Sequence, residues 1–307
     1  MTVARVTQRM LVDRTLTNLS GHERRILNLQ EQLSTGQRVN RPSDDPLAAR
    51  RAVTARSEIH RNEQYIANLS AAQPFLDEAE TAIETSVDIL QRVNELTLQG
   101  ASDTMGQTQR DQIAIEVNEL LETMLSQANH ETSDRFIFGG TRTRSEPFVA
   151  TRDAEGEITA VSYEGNSEKI MVEVSEGVRV PANETGDALY TQTNPQSVDI
   201  FGLLVQLRED LRNGDTAGLQ DRLAELDTAQ DQLLVATARI GSVHNRFEHI
   251  EGNLRAINVQ LEEVLSDNLD ADFADVIVNL NAQSNAFTAS LNASARVIQP
   301  SLLDFIG

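Results

Sequence analysis

Apolar residues recur at helical intervals along nearly all of this chain, with one interruption in its middle. Val12, Leu19, Ile26 and Leu33 fall one every seven residues, the spacing of a helix that packs along another helix. From Arg51 to Gly100 the pattern continues through Leu76, Ala79, Ile83, Leu90 and Val93, and Pro74 predicts a kink or short break there. Gly100 to Gly106 reads as a turn. Ile113, Val117, Leu120 and Met124 then carry an amphipathic helix to about His130. After Gly218, residues Leu226, Ala229, Leu233, Ala236, Ile240, Val243, Phe247, Ile250, Leu254, Ile257, Leu261 and Val264 form an unbroken three-four alternation. That predicts a helix of about 50 residues and about 75 Å. A seam of this length needs a partner throughout, and we read it as internal core, with the N-terminal helices as partners. After a break at Asn268 to Asp272, two rows resume: Phe273, Leu280 and Phe287, and Ile277, Leu291 and Ile298.

The interruption has a different texture. Seven of the sixteen Gly and three of the seven Pro lie between Gly139 and Gly202. Short runs of β type occur at Ile158 to Tyr163, Lys169 to Val174 and Val178 to Val180. Turn signals at Asp153–Gly156, Glu164–Asn166 and Glu176–Gly177 separate them at hairpin spacing. Gly139-Gly140 lacks the pattern of a phosphate loop and reads as a turn out of the preceding helix. The fold class is therefore mainly α: long antiparallel coiled-coil-like helices formed by both chain ends, with a small β-rich central insert. Residues 1–45 and 266–307 form the expected terminal-helix domain. Residues 46–134 and 197–265 form a long helical bundle, and 135–196 the insert, at the end away from the termini.

The joint between the first two helices is specified in detail. Gly36 supplies a stop. The loop that follows carries Arg38, Asn40, Ser43, Asp44, Asp45 and Pro46. Ser43 is placed to cap the next helix, the two Asp put negative charge in its first turn, and Pro46 is tolerated where N–H groups lack intrahelical partners.

Composition narrows the function classes. The 47 acids against 26 bases give a net charge of −21, a surface that repels phosphate, so nucleic-acid binding is not expected. No Cys is present, which removes disulfides, thiolate metal sites and Cys nucleophiles. No apolar run is long enough to cross a membrane, and the N-terminus has no apolar signal region. Asp44 and Asp45 are explained by the helix start rather than by acid–base chemistry. His244 and His249 lie five apart, not on one helix face as in a zinc helix, and His22, His60 and His130 are scattered. Ser284, Ser290 and Ser294 read as close-packing positions. No catalytic, cofactor-binding or metal-binding residue is assigned.

Three strings carry a resemblance. LSTGQRVNRPSDDPLAAR from Leu33 to Arg50 resembles the N-terminal signature of the bacterial flagellin superfamily, in the Pro-containing form of the hook-associated protein 3 family. The C-terminal segment from Leu269, ending in Leu302, Leu303, Phe305 and Ile306, and RFIFGGT at Arg135 to Thr141 are similar to that family as well. The resemblance implies a non-catalytic flagellar subunit at the hook–filament junction, exported through the flagellar type III apparatus. Its implied partners are hook-associated protein 1, flagellin, further copies in a ring and an export chaperone. The terminal helices would be the assembly surface. Leu19, Ile26, Leu33, Phe273, Leu280, Phe287, Leu291 and Ile298 are its candidates, because a lone two-helix hairpin is marginal and Leu16, Leu27, Leu29, Val278 and Val297 add apolar residues off the main stripe. A short flagellin and a cytoplasmic helical scaffold remain alternatives.

Overall fold

The computed structural model describes residues 8–193 and 195–298. Among them the order is α1 (Gln8–Thr35), α2 (Pro46–Gly100), α3 (Gln107–Ala128), β1 (Glu131–Thr132), β2 (Arg135–Phe136), β3 (Phe148–Arg152), β4 (Ile158–Tyr163), β5 (Met171–Ser175), β6 (Val178–Pro181), α4 (Gly186–Tyr190), α5 (Ile200–Asn213), α6 (Thr216–Leu269) and α7 (Phe273–Ile298). The mainly helical class with a small strand-bearing middle is thus observed. The strands form three separate antiparallel hairpins, β1–β2, β3–β4 and β5–β6.

Several boundaries differ from those the sequence suggests. Helix α2 runs without interruption through Pro74. Pro74 is exposed, while Ala72 and Leu76 on either side of it are buried, so packing carries the helix past the missing N–H. The hairpin β1–β2 lies between α3 and Gly139-Gly140, so the glycine pair turns out of a hairpin rather than a helix. Strand β3 and helix α4 were not expected.

The chain divides into two compact units, one of residues up to 61 with those from 256 on, the other of residues 62–255. The middle unit holds a continuous core. Buried Leu69, Leu76, Ile83, Leu90 and Val93 of α2 share it with Leu121 and Met124 of α3, and with Leu204, Leu207 and Leu211 of α5. Leu226, Leu233, Ile240 and Phe247 of α6 complete it. Within this unit α2 and α6 run antiparallel: Asn94 meets Asp227 at 3.2 Å, and Asp77 meets His244 at 3.2 Å. The α6 seam is internal as expected through Leu254, but Ile257 and Val264 are exposed.

Aromatic rings tie the hairpins to this core. Phe148 of β3 lies 5.1–5.4 Å, centroid to centroid, from Tyr163, Tyr190 and Phe201. The Tyr190 hydroxyl is 3.0 Å from the Ser86 Oγ of α2, which satisfies a polar group that is otherwise fully buried. Burial pushes the Tyr190 phenol well above its ordinary value. A side chain at Gly186 would strike the Phe148 ring at 2.7 Å, so the start of α4 can approach the cluster only without a Cβ.

A polar lock accompanies the rings. Arg208 of α5 is only 2% exposed. It donates to Asn118 of α3 at 2.8 Å and lies near Glu209 and Glu157. Arg212 donates to both oxygens of Glu157 at 2.6 Å, and Arg152 pairs with Glu122 of α3. The hydrogen bond from Arg212 holds the Glu157 carboxyl below the ordinary carboxylate range, against partial desolvation.

Candidate assembly interface

The terminal unit begins with the joint. Gly36 ends α1 with φ +73°, its N–H donating to the Gln32 carbonyl at 2.9 Å. An L-residue would be strained there. The Phe273 ring closes over the same spot, 3.7 Å from where a Gly36 Cβ would stand. Residues 36–39 then pair with 269–271. Arg38 and Val39 donate backbone N–H groups to the Leu269 carbonyl, Ala271 donates to the Gly36 carbonyl, and Gln37 bridges Asp270. The α1–α2 joint and the α6–α7 joint are therefore one hydrogen-bonded structure.

Each motif side chain has a distinct place in it. Arg38 reaches across to the Asn268 carbonyl at 2.8 Å and to Asp45 at 3.5 Å. Asn40 donates to the Gln37 carbonyl at 3.1 Å. Asp44 accepts from the backbone N–H groups of Asn40 and Arg41 at 3.2 and 2.8 Å, closing the turn. Asp45, not Ser43, caps α2: its Oδ1 accepts from Leu47 and Ala48 N–H at 3.1 and 3.0 Å. Ser43 is exposed and two residues too early, because Pro46 is the first helical residue and fixes the cap one position before it. The Ala48 N–H holds the Asp45 carboxyl below its ordinary value; slight desolvation opposes this, and Arg38 and the Leu47 N–H add to it. Val39, Ala48, Ala52 and Leu269 form a small core beside the joint.

Beyond the joint, α1 and α7 form an antiparallel pair, with His22 Nδ1 3.0 Å from Gln283 Oε1. Burial along this pair is slight. Among the described side chains none of α1 is buried, and of α7 only Val276 and Ser294 are. Leu19, Leu29, Ile26 and Leu33 are half-buried, as are Leu280 and Phe287. The two apolar rows of α7 therefore separate. Leu280 and Phe287 share the covered side with Val276, Ser290 and Ser294, while Ile277, Val278 and Leu291 are exposed. Phe273 is exposed as well, apart from its contact with Gly36. Leu16 and Leu27 of α1 are more than half exposed. Ser284 is exposed, so of the three serines read as packing positions it is the one that does not pack. The side chains of Val297 and Ile298, and the tail from Leu302 to Ile306, lie outside the described residues.

The sequence did not point to Val276 or to the backbone pairing of 36–39 with 269–271. A signal for the first existed: Val276, Leu280, Phe287 and Ser294 keep a helical interval if small polar residues are admitted to the seam. Among the described residues no group of three or more His, Asp or Glu could hold a metal ion, and no helix is long and apolar enough to cross a membrane.

Comparison with known proteins agrees with this architecture. Residues 6–143 match the model of the bacterial flagellin N-terminal helical region. Flagellar hook-associated protein 3 of Escherichia coli is 24% identical over 94% of this chain and 95% of its own length. The flagellar filament 30.7 kDa core protein of Treponema maltophilum is 26% identical over 89% and 90%. The crystal structure of the flagellar junction protein FlgL from Legionella pneumophila covers 72% of this chain and 100% of its own with a TM-score of 0.59; at 16% identity it speaks for the fold alone. In sequence the chain is similar to the hook-associated proteins 3 and, in its N-terminal region, to the bacterial flagellins.

Proposed function

We propose that this chain is a structural subunit of the bacterial flagellum, joining the hook side to the flagellin filament. The observation that carries the reading is similarity to hook-associated protein 3 along nearly the whole of both chains. A terminal α1–α7 pair that leaves Leu16, Leu27, Ile277, Val278 and Leu291 uncovered supports it, because such a face suits packing against neighbouring subunits. In this reading residues 1–45 and 266–307 assemble, with Leu19, Ile26, Leu33, Phe273, Leu280, Phe287, Leu291 and Ile298 at or behind the contact. Residues 46–134 and 197–265 form the supporting bundle, and 135–196 an outer insert. The role is mechanical and needs no catalytic residue. The partners are further copies in a ring, hook-associated protein 1 on one side and flagellin on the other. Export is by the flagellar type III route, with a chaperone on the C-terminal helix.

The test is deletion of the gene followed by shearing of flagella. The wild-type chain should appear in the sheared fraction at a small fraction of the copy number of flagellin. Deletion should release flagellin into the medium as monomer and abolish swimming. Equal abundance with the filament subunit would make the chain a short flagellin, and absence from the sheared fraction would remove the flagellar reading.

A further inference from the structure

The hairpins of the middle unit treat their outer edges differently. Strand β4 rests on α5 and α3. Strands β1 and β2 have two residues each. In the β5–β6 pair, Met171 stands opposite Pro181, Val172 opposite Val180 and Glu173 opposite Arg179. Next to them Ala182 donates its N–H to the Ile170 carbonyl at 2.9 Å. Bonds in an antiparallel ladder alternate, so Ile170 and Val172 turn their backbone groups toward β6, and Met171 and Glu173 turn theirs outward. A bond on that outer side agrees: Asn68 of α2 donates to the Glu173 carbonyl at 3.1 Å. No loop or side chain among the described residues bonds to the Met171 N–H or carbonyl. By the same alternation Pro181 faces the outer edge of β6, where it has no N–H to offer and blunts that edge. The outer edge of β5 has no such block.

That edge faces α2 across a groove of about 350 Å³. Ala71, Ala72 and Phe75 of α2 supply an apolar floor, which Ile170, Val172 and Ala182 continue. From Asn68 to Phe75 the helix rises about 10 Å, the length of about three residues of extended chain. Arg135, the first residue of the RFIFGGT segment, stands at the groove. It is exposed and makes no ion pair among the described residues, in a chain whose net charge is −21. The opposite sign is already matched, since Glu173 lies 3.8 Å from Arg179. The groove thus offers an open strand edge, an apolar floor and one unanswered positive charge.

We propose that the groove between α2 and β5 receives an extended peptide segment of a partner protein as an added strand, with an apolar side chain over Phe75 and a carboxylate at Arg135. Strand addition of this kind takes its adhesion from backbone bonds and its specificity from alternate side chains. Met171 supplies a donor and an acceptor, and Glu173 a donor, so the segment is held in one register. A helix has no unpaired backbone groups to offer that edge along its length. An amphiphilic anion would use the floor and Arg135 but leave the edge unanswered. The site lies wholly within residues 62–255, so this inference does not rest on the flagellar reading or on the terminal helices.

The experiment titrates the isotope-labelled full chain with the capped peptide acetyl-TVTVDT-amide at millimolar concentration and follows backbone amide chemical shifts. The Met171 and Glu173 amides should move most, and the Val172 amide, which faces β6, should move less. A peptide N-methylated at its third and fourth residues loses an edge donor in either register and should not bind. Acetyl-TVTVNT-amide, which lacks the charge, should bind about threefold more weakly, the scale of an exposed ion pair. Arg135→Gln should weaken the acidic peptide by the same factor and leave the asparagine peptide unchanged. Ala71→Gln fills the floor from an exposed helix position and should abolish the shifts while melting like wild type. No movement at Met171 and Glu173, equal binding of the N-methylated peptide, or an Arg135→Gln chain that still prefers the acidic peptide overturns the proposal. Sodium decanoate is titrated alongside. Shifts around the groove with decanoate and none with the peptide assign it to an amphiphilic anion and overturn the proposal as well. If Ala71→Gln melts below wild type, the peptide series on the wild-type chain decides.

Discussion

The two units of this chain are built from the same kind of helix and use it in opposite ways. In the middle unit α2, α3, α5 and α6 bury Leu and Ile at nearly every inward position, and two fully buried polar side chains there are paired: Ser86 with Tyr190, and Arg208 with Asn118 and Glu209. In the terminal unit the corresponding positions stop half-way. Leu19, Ile26, Leu33, Leu280 and Phe287 are only half-buried, and Arg14, Arg24, Arg25, Arg50 and Arg51 face solvent without an ion pair among the described residues. The same long helix shows both behaviours, since α6 is buried at Leu254 and open at Ile257 and Val264. Helical periodicity therefore states that a stripe exists, not that the stripe is covered by its own chain. Coverage depends on how many helices surround it: several in the middle unit, essentially one in the terminal pair. A region that folds against itself keeps its stability as a monomer, and a region with half its contacts missing acquires them from other subunits.

The sharpest way to break this comparison is to make equal changes in both units. Leu233→Ala with Leu254→Ala removes two buried side chains of the middle core and should lower monomer stability by about 2–5 kcal/mol for each. Thermal melting of the purified chain reads this directly. Leu280→Ala with Leu291→Ala should leave the main melting transition in place, because Leu280 is half-buried and Leu291 exposed. Cells carrying the second pair should instead release flagellin monomer and swim poorly. A fall in melting temperature as large for the second pair as for the first would mean that the terminal pair belongs to the monomer core.

A smaller effect tests whether the polar lock stabilises the middle unit or merely fills it. Arg208→Ala removes a guanidinium that is 2% exposed and leaves half-buried Asn118 without its donor, while Glu157 keeps Arg212. The lost hydrogen bond and packing should cost about 1–3 kcal/mol, and Arg208→Met, which restores volume, should cost less. Glu157 adds a pH signature. Its carboxyl is held below the ordinary value of 4.5 by Arg212, so it contributes stability above that value and loses it as pH falls through the lowered one. Arg212→Gln should flatten the acid limb of the melting-temperature profile in this range. An unchanged acid limb would show that other carboxylates set it.

Much of this arrangement was legible in the residues, and the exceptions have physical causes. The long α6 seam, the break at 270–272 and the Gly36 stop follow from heptads and from a positive φ that favours glycine. The inward phase of α7 did not, because the covered row includes Gln283, Ser290 and Ser294, and small polar residues in a close helix contact look like a solvent face. The strand β3 was hidden because only Phe148 of its five residues is buried, too little alternation to recognise. The continuity of α2 through Pro74 was concealed because local propensity is overridden by packing: Leu69, Ala72, Leu76 and Ala79 on both sides of the proline are buried in the core. None of these depends on the chain's partners. The covering of the outer stripe does, and its sequence shows only surplus apolar residues.

The smallest predicted effect separates two ways of starting α2, and with them two views of the joint. If Ser43 were the cap, Ser43→Ala would expose the first N–H groups of the helix and Asp45→Ala would remove only a favourable charge. The geometry gives the reverse: Asp45 Oδ1 accepts from Leu47 and Ala48 and its other oxygen meets Arg38, which also holds the Asn268 carbonyl. Asp45→Ala should therefore speed amide hydrogen exchange at Leu47 and Ala48 and, by freeing Arg38, at residues 269–271 across the joint. Asp45→Asn, which keeps the acceptor and loses the charge, should restore protection at Leu47 and Ala48 but not fully at 269–271. Ser43→Ala should change neither set. Helices α3 and α5 of the middle unit serve as the internal control, since no hydrogen bond links them to the joint, whereas α2 and α6 run into it. Equal acceleration there would mean that the joint supports the whole fold rather than the terminal unit alone. Confined acceleration would mark Asp45 as the residue through which the two terminal helices are held in register before any neighbour arrives.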